Sequence, residues 1–277
     1  MTAATVHSLT CYPVKGCAGV PLDSVAVTAT GPAHDRTFMV VDAADGSFRS
    51  QRTLPGMAVV RADVTDGGKH LALSAPGAGE LTLEVAYEGP PREVVLFDRP
   101  LGAAVDQGEE AARWFSEALG APSRLVRVRP GFDRDGWGEH PGKVNFADAH
   151  ALSVASLASL DGLNRRIAER GGTPVPMDRF RPNIVVAGWG EPHTEDLVRL
   201  MDVGTTRLGY SVRAMRCSVP LVDQATGRTS GPEPVRTLAG YRREPEYGNK
   251  VSFAMKAAVL RPGTIAVGDP VEVRAWA

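Results

Sequence analysis

Cysteine is scarce in this chain. Among 277 residues only Cys11, Cys17 and Cys217 carry a thiol, an odd number with no short paired spacing. That weighs against a disulfide framework or a zinc knuckle, and at least one thiol should be free. Histidines stand at 7, 34, 70, 140, 150 and 193, with no pair at the i, i+4 spacing that puts two ligands on one helical face. A conventional zinc site is therefore not expected. Surplus charge is missing too, with 31 Lys and Arg against 32 Asp and Glu. No general affinity for nucleic acid or an anionic membrane follows, and any cationic site must be local. No apolar run approaches the roughly 20 residues that span a bilayer, and the opening residues lack the basic and apolar regions of a signal peptide. A cytoplasmic protein without membrane contact is expected. The motifs GxxxxGK[ST], GxGxxG between strand and helix, and GxSxG are absent. Phosphate-loop hydrolases, dinucleotide-binding oxidoreductases and nucleophile-elbow serine hydrolases lose their main sequence support.

What is present reads as mostly β structure. Short segments punctuated by Gly, Pro and Asp run from residue 5 to about 97: Val25 to Thr28, Thr37 to Val41, Ala58 to Val64, Leu71 to Ser74, Leu81 to Tyr87 and Glu93 to Phe97. HLALSA and LTLEVAY alternate with the period of half-buried strands, and Asp-Gly pairs within residues 44–47 and 65–68 suit tight turns. Ala111, Trp114, Phe115, Ala118 and Leu119 form one apolar helical stripe that Gly120 is placed to end. The Pro122 region and the Arg/Gly/Asp-rich loop after it mark a boundary, giving domains 1–122 and 123–277. In the second half, Ser153 or Ser156 can cap a helix carrying Leu157, Leu160, Leu163 and Ile167, with Gly171-Gly172 to stop it. NIVVAG, RLGYSVRAM, VSFAMKAAVL and TIAVGDPVEVRAW are again strand-like. The fold class expected is β-rich α+β: two β-barrel-like domains with a few helices.

Three places carry chemistry. Cys217 follows Arg216 where a strand-like run meets a turn-rich segment. An adjacent guanidinium favours the thiolate, the form that binds soft metals, yet free cysteine is also among the most buried and inert residue types. In RFRPN, Arg179, Arg181 and Asn183 fall on one side if the segment is extended. Two guanidiniums and an amide there would suit phosphate, or else pair with carboxylates such as Asp178. Lys15 sits in the glycine-flanked turn YPVKGC, where backbone approaches a ligand closely.

Taken in order, these segments resemble one family. CYPVKGCAGVPLDSVAVTATGPAHDRTFMVVD is similar to the opening of the MOSC N-terminal β-barrel domain. FADAHALSVASLASLDGLN, FRPNIVVAG, RCSVPLVDQATG, EPVRTLAGYRR and PGTIAVGDPVEV are similar to successive blocks of the MOSC domain. The pattern RC-x(5)-D-x(2)-TG with FRPN upstream is specific. The resemblance implies a molybdenum-molybdopterin cofactor with Cys217 as metal ligand and Arg216 balancing charge beside it. It implies contacts to the pterin and its phosphate from Lys15, Arg36, Arg181 and Asn183, with Asp148 and Arg52 on less specific blocks. Through the family name alone it also carries an association with pyridoxal phosphate.

The chain departs from the reductases of this family in several pocket positions: Gly16, Ala149, His150 and Met215 replace hydroxyl-bearing residues, and Lys256 replaces a tyrosine seen in some relatives. Fewer hydrogen bonds to the cofactor are expected as a result. The implied activity is reduction of N-hydroxylated or related N-oxygenated small molecules. No flavin, haem or iron-sulfur segment is recognisable, so electrons are expected from a separate donor of ferredoxin, flavoprotein or cytochrome type. A sulfur carrier or cofactor-handling protein using a Cys217 persulfide is the alternative, and a specialised biosynthetic enzyme with an altered pocket a third. The cofactor is expected in the cleft between the halves, bordered by the loop from Pro130 to Lys143, and His150 is considered as a general acid.

Overall fold

Strand and turn signals alternate quickly along the chain. The computed structural model, which describes residues 3–277, turns them into two main sheets and three α-helices among the described residues. The expected β-rich mixed fold is what forms. One five-stranded sheet runs Pro91–Leu96, Arg99–Asp106, Ser123–Arg127, Phe38–Asp42 and Val14–Lys15. Helix α1 (Gly108–Leu119) buries Ala111, Trp114 and Phe115 against Phe38, Val40 and Leu125. Gly120 ends it in the left-handed conformation expected of a helix-stopping glycine. A small sheet of Arg61–Thr65, His70–Ala75 and Gly79–Glu84 sends Ala62, Leu71, Leu73 and Leu83 into the same core. The Ala58 to Val64 segment is not one strand: Pro55–Val59 forms a 3-10 turn first, and the strand starts at Arg61.

The larger sheet orders Val271–Trp276, Val198–Val203, Thr206–Arg216, Lys250–Arg261, Leu152–Ser156, Ile184–Ala187, Thr5–Cys11 and Val20–Leu22. Helix α2 (Leu157–Glu169) follows directly from one of its strands. Ser156 caps it by accepting from the Ser159 amide at 3.1 Å, whereas Ser153 lies inside the strand. Leu163 and Ile167 pack beneath it on Phe180 and Phe253.

The two halves of the chain exchange strands. Thr5–Cys11 pairs with Ile184–Ala187, and Ser24–Thr28 pairs with Gly263–Ala266. Ser123–Arg127, just beyond the expected division at 122, pairs with Phe38–Asp42 in the first-half sheet. The chain therefore crosses from one sheet to the other between Cys11 and Val14, and Lys15 emerges at that seam.

Candidate functional site

The residues that the family resemblance singled out come to this seam. Lys15, Gly16, Arg36, Arg52, Asp148, Ala149, His150, Arg181, Asn183, Met215, Arg216, Cys217 and Lys256 all line one pocket, about 970 Å³ of space continuous with solvent. Lys15 ends a two-residue strand paired with Phe38–Asp42. Gly16 follows at φ +84°, a conformation that L side chains rarely adopt, and a Cβ there would meet Met57 at 2.9 Å. Met215, Arg216 and Cys217 leave the end of the strand Thr206–Arg216, and Lys256 sits on its neighbour, opposite Ser153.

The balanced charge of the whole chain hides a strong local surplus. Lys15, Arg36, Arg49, Arg52, Arg179, Arg181, Arg216 and Lys256 line the pocket against one carboxylate, Asp148. The surrounding walls alone would raise the Asp148 carboxyl, but its ion pair with Lys15, helped by Lys256 and Arg52, holds it well below the usual carboxylate range. Burial lowers Lys15, only partly offset by Asp148. Loss of water, then the nearby Arg216 and Arg36, bring the Lys256 ammonium down to about 7.

Several of these cations are fixed by bonds inside the protein. The Tyr12 ring lies under both the Arg36 and the Arg181 guanidinium, at 4.4 and 4.2 Å. Arg36 donates to Asp35 at 2.5 Å and to the side-chain Oδ1 of Asn183 at 3.0 Å. The Asn183 amide nitrogen donates to Thr10 and Asp35, and its oxygen also accepts from the Ser153 amide. The Asn183 side chain thus has all its ordinary hydrogen bonds made within the protein, and what it does at the pocket is hold Arg36. Arg181 donates to Gln224 and to the Cys17 carbonyl. Gln224 exchanges amide bonds with Gln51, which also holds the Gly16 carbonyl.

The extended reading of RFRPN does not hold. Met177–Phe180 is a 3-10 turn and Arg181 is left-handed, which separates the two arginines. Arg179 is buried and turns to the Pro220 carbonyl, Ser230 and Asp223, while Arg181 turns to Tyr12 and Gln224. Arg216 is likewise anchored, on the Phe253 and Phe180 carbonyls, and burial brings it down to about 10.

The three thiols differ sharply. Cys11 and Cys17 are buried and Cys217 is exposed. Burial pushes the Cys17 thiol up to about 12 and raises Cys11 further. The inert buried cysteine is thus a fair account of those two and not of Cys217.

His150 donates from Nε2 to the Trp137 carbonyl at 2.9 Å, which leaves Nδ1 as the acceptor. Burial, then Lys256, lowers it to about 4, so it is neutral at neutral pH. That environment disfavours the general-acid role considered for it. Trp137 belongs to the loop from Pro130 to Lys143, which is ordered by the bridge of Asp135 with Lys143. Arg134 in this loop donates to the carbonyls of Asn145, Ala147 and Asp148 and so shapes the pocket wall. The sequence reading missed Tyr12, Asp35, Gln51 and Gln224. Tyr12 and Asp35 adjoin motifs already noted, whereas the two glutamines carry no local signal.

Comparison with known proteins gives two matches along the chain: the MOSC N-terminal beta barrel domain over residues 3–122 and the MOSC domain over residues 141–272. The mitochondrial amidoxime-reducing component 1 of Mus musculus is 33% identical over 96% of this chain and 81% of its own length. Its Homo sapiens counterpart is 31% identical over 96% and 82%. A molybdenum cofactor sulfurase from Arabidopsis thaliana is 28% identical over 86% of this chain but only 31% of its own length.

Proposed function

The chain belongs to the MOSC family, and from that premise we propose that it is a molybdenum-cofactor-binding oxidoreductase acting on N-hydroxylated and related N-oxygenated compounds, with Cys217 as the metal ligand. The observation that carries this reading is an exposed thiol on a pocket lined by eight cations and one carboxylate. A pterin dithiolene with its phosphate is an anionic group and metal-bound thiolate is a soft ligand, so the donor set fits. Bound there, the cofactor would supply the two-electron chemistry that takes an oxygen atom from nitrogen, with electrons from a separate donor protein. Lys15, Arg36 and Arg181 would hold its anionic parts. They are already oriented by Asp148, Asp35, Tyr12 and Gln224, so little ordering is lost on binding. Neutral His150 offers the Nδ1 lone pair to an N–OH or N–H donor of the substrate. We take the protein to work in the cytoplasm. No helix among the described residues is long and apolar enough to cross a membrane.

Molybdenum and pterin analysis on protein from a molybdopterin-making host, comparing wild type with Cys217→Ala, tests the ligation. Near-stoichiometric metal in the wild type and its loss in the variant are expected, together with reduction of benzamidoxime when a chemical reductant is supplied. Absence of both metal and turnover would overturn the reading. The exposure of Cys217 also suits a persulfide carrier. That second reading predicts cyanide-releasable sulfur on Cys217 and no turnover of N-oxygenated compounds.

A further inference from the structure

Arg52 stands apart from the other arginines of the pocket. Arg36, Arg181 and Arg216 are fixed by hydrogen bonds, whereas the Arg52 guanidinium makes no ion pair and donates no hydrogen bond among the described residues. It is exposed at the pocket wall and lies 5.1 Å over the Phe97 ring. The Lys15 ammonium is 5.6 Å from the same ring, and Phe48 meets Phe97 edge-on at 4.8 Å.

Phe97 reaches this place at the tip of a hairpin. Leu96 pairs with Arg99, so Phe97 and Asp98 form a two-residue turn with φ values of +53° and +61°. Two successive left-handed residues define the type I′ turn, for which Asn-Gly is the favoured pair, and Phe is a strained choice. A large ring, 37% exposed, is held in strained backbone where Asn would be easier. What it does there is carry Arg52. The neighbouring Asp98 carboxylate does not pair with Arg52.

A resident group is best held by buried donors already in position, and a ligand that comes and goes meets the rim first. Resting on the reductase reading above, we propose that Arg52, positioned on Phe97, docks an anionic group of the substrate, and that the enzyme prefers N-oxygenated compounds bearing a carboxylate.

The test is calorimetric binding of benzamidoxime and 4-carboxybenzamidoxime to the protein purified from a molybdopterin-making host. The carboxylate is expected to tighten Kd by about fivefold at low salt, the scale of one exposed guanidinium-carboxylate pair. In Arg52→Gln that ratio falls to about one, and molybdenum and pterin content are measured alongside because the family resemblance put Arg52 among the cofactor contacts. In Phe97→Asn with Asp98→Gly the ratio falls as well, while Tm rises because the turn is relieved. The rise also shows that the variant folds. Equal affinities in the wild type, or loss of cofactor in Arg52→Gln, would overturn the proposal, the latter by assigning Arg52 to the cofactor's phosphate. A carboxylate preference in binding with no turnover of either compound would keep the anion site and remove the reductase reading instead.

Discussion

Two clusters of charge are drawn out of water in this protein, and only one of them looks like a site. Beneath α2, Asp196 pairs with Arg242 at 2.5 Å and Glu244 with Arg213 at 2.8 Å, two anions against two cations. Glu195 accepts from Ser156 and Ser159, and burial raises its carboxyl. Burial, then Arg242 and Arg166, lowers His193 to about 3. The pocket at the seam has shifts of similar size, but its charges do not cancel and it opens to solvent. Perturbed titration alone therefore does not separate the two clusters, and what sets the pocket apart is surplus charge of one sign beside an exposed thiol.

The comparison breaks most visibly in stability. Arg242→Ala leaves Asp196, only 4% exposed, with Arg213 at 3.5 Å as its remaining partner. Losing one partner of a buried pair should cost about 3–5 kcal/mol, read by urea denaturation. In the pocket the sign reverses. Lys256 makes no ion pair among the described residues, the pull of Asp148 does not offset its burial and the neighbouring guanidiniums, and its folded value near 7 lies below the ordinary 10.5. The fold therefore opposes its charge fully below pH 7, and that opposition is relieved as pH rises toward 10.5. Lys256→Met should stabilise the cofactor-free protein by about 2 kcal/mol at pH 6 and by less at pH 9. Destabilisation at pH 6 would mean that Lys256 is held as in a closed network.

The sequence shows the local parts of this structure better than their assembly. The α1 stripe with Gly120, the Ser156 cap position and the runs NIVVAG and VSFAMKAAVL are legible because each depends on neighbours a few residues away. Pairing of Thr5–Cys11 with Ile184–Ala187 is not, since nothing in either segment records its partner. The residues that gather at the candidate site, scattered from 15 to 256, were named by the family resemblance. The residue chemistry taken alone misread RFRPN, because the segment forms a 3-10 turn that parts Arg179 from Arg181 and stacks Phe180 on Phe253, a partner remote in sequence. It also passed over Phe97, whose importance lies in a backbone conformation that its type does not favour.

The smallest expected effect separates the clusters by their access to ions. His150 and His193 have folded values of about 4 and about 3, below the ordinary 6.5. Each contributes stability that is fully present above pH 6.5 and is lost as pH falls toward its folded value, because the unfolded chain takes up the proton first. His193 occupies a left-handed position, φ +65°, which asparagine tolerates, so His193→Asn removes the titration without forcing the backbone. That variant and His150→Gln should each flatten the loss between pH 6.5 and 5 by about 1 kcal/mol. Sulfate then distinguishes them. An anion entering the cationic pocket offsets Lys256, Arg134 and the other charges that oppose protonation of His150, so the His150 share of the acid loss should shrink. The His193 share should persist, since its ring nitrogens are buried and, of the cations around it, Arg242 and Arg213 are already paired with carboxylates while Arg166 is held by the Gly162 carbonyl and the Tyr241 ring. Equal shrinkage in both variants would mean that sulfate acts on the fold as a whole and that the pocket has no special hold on anions.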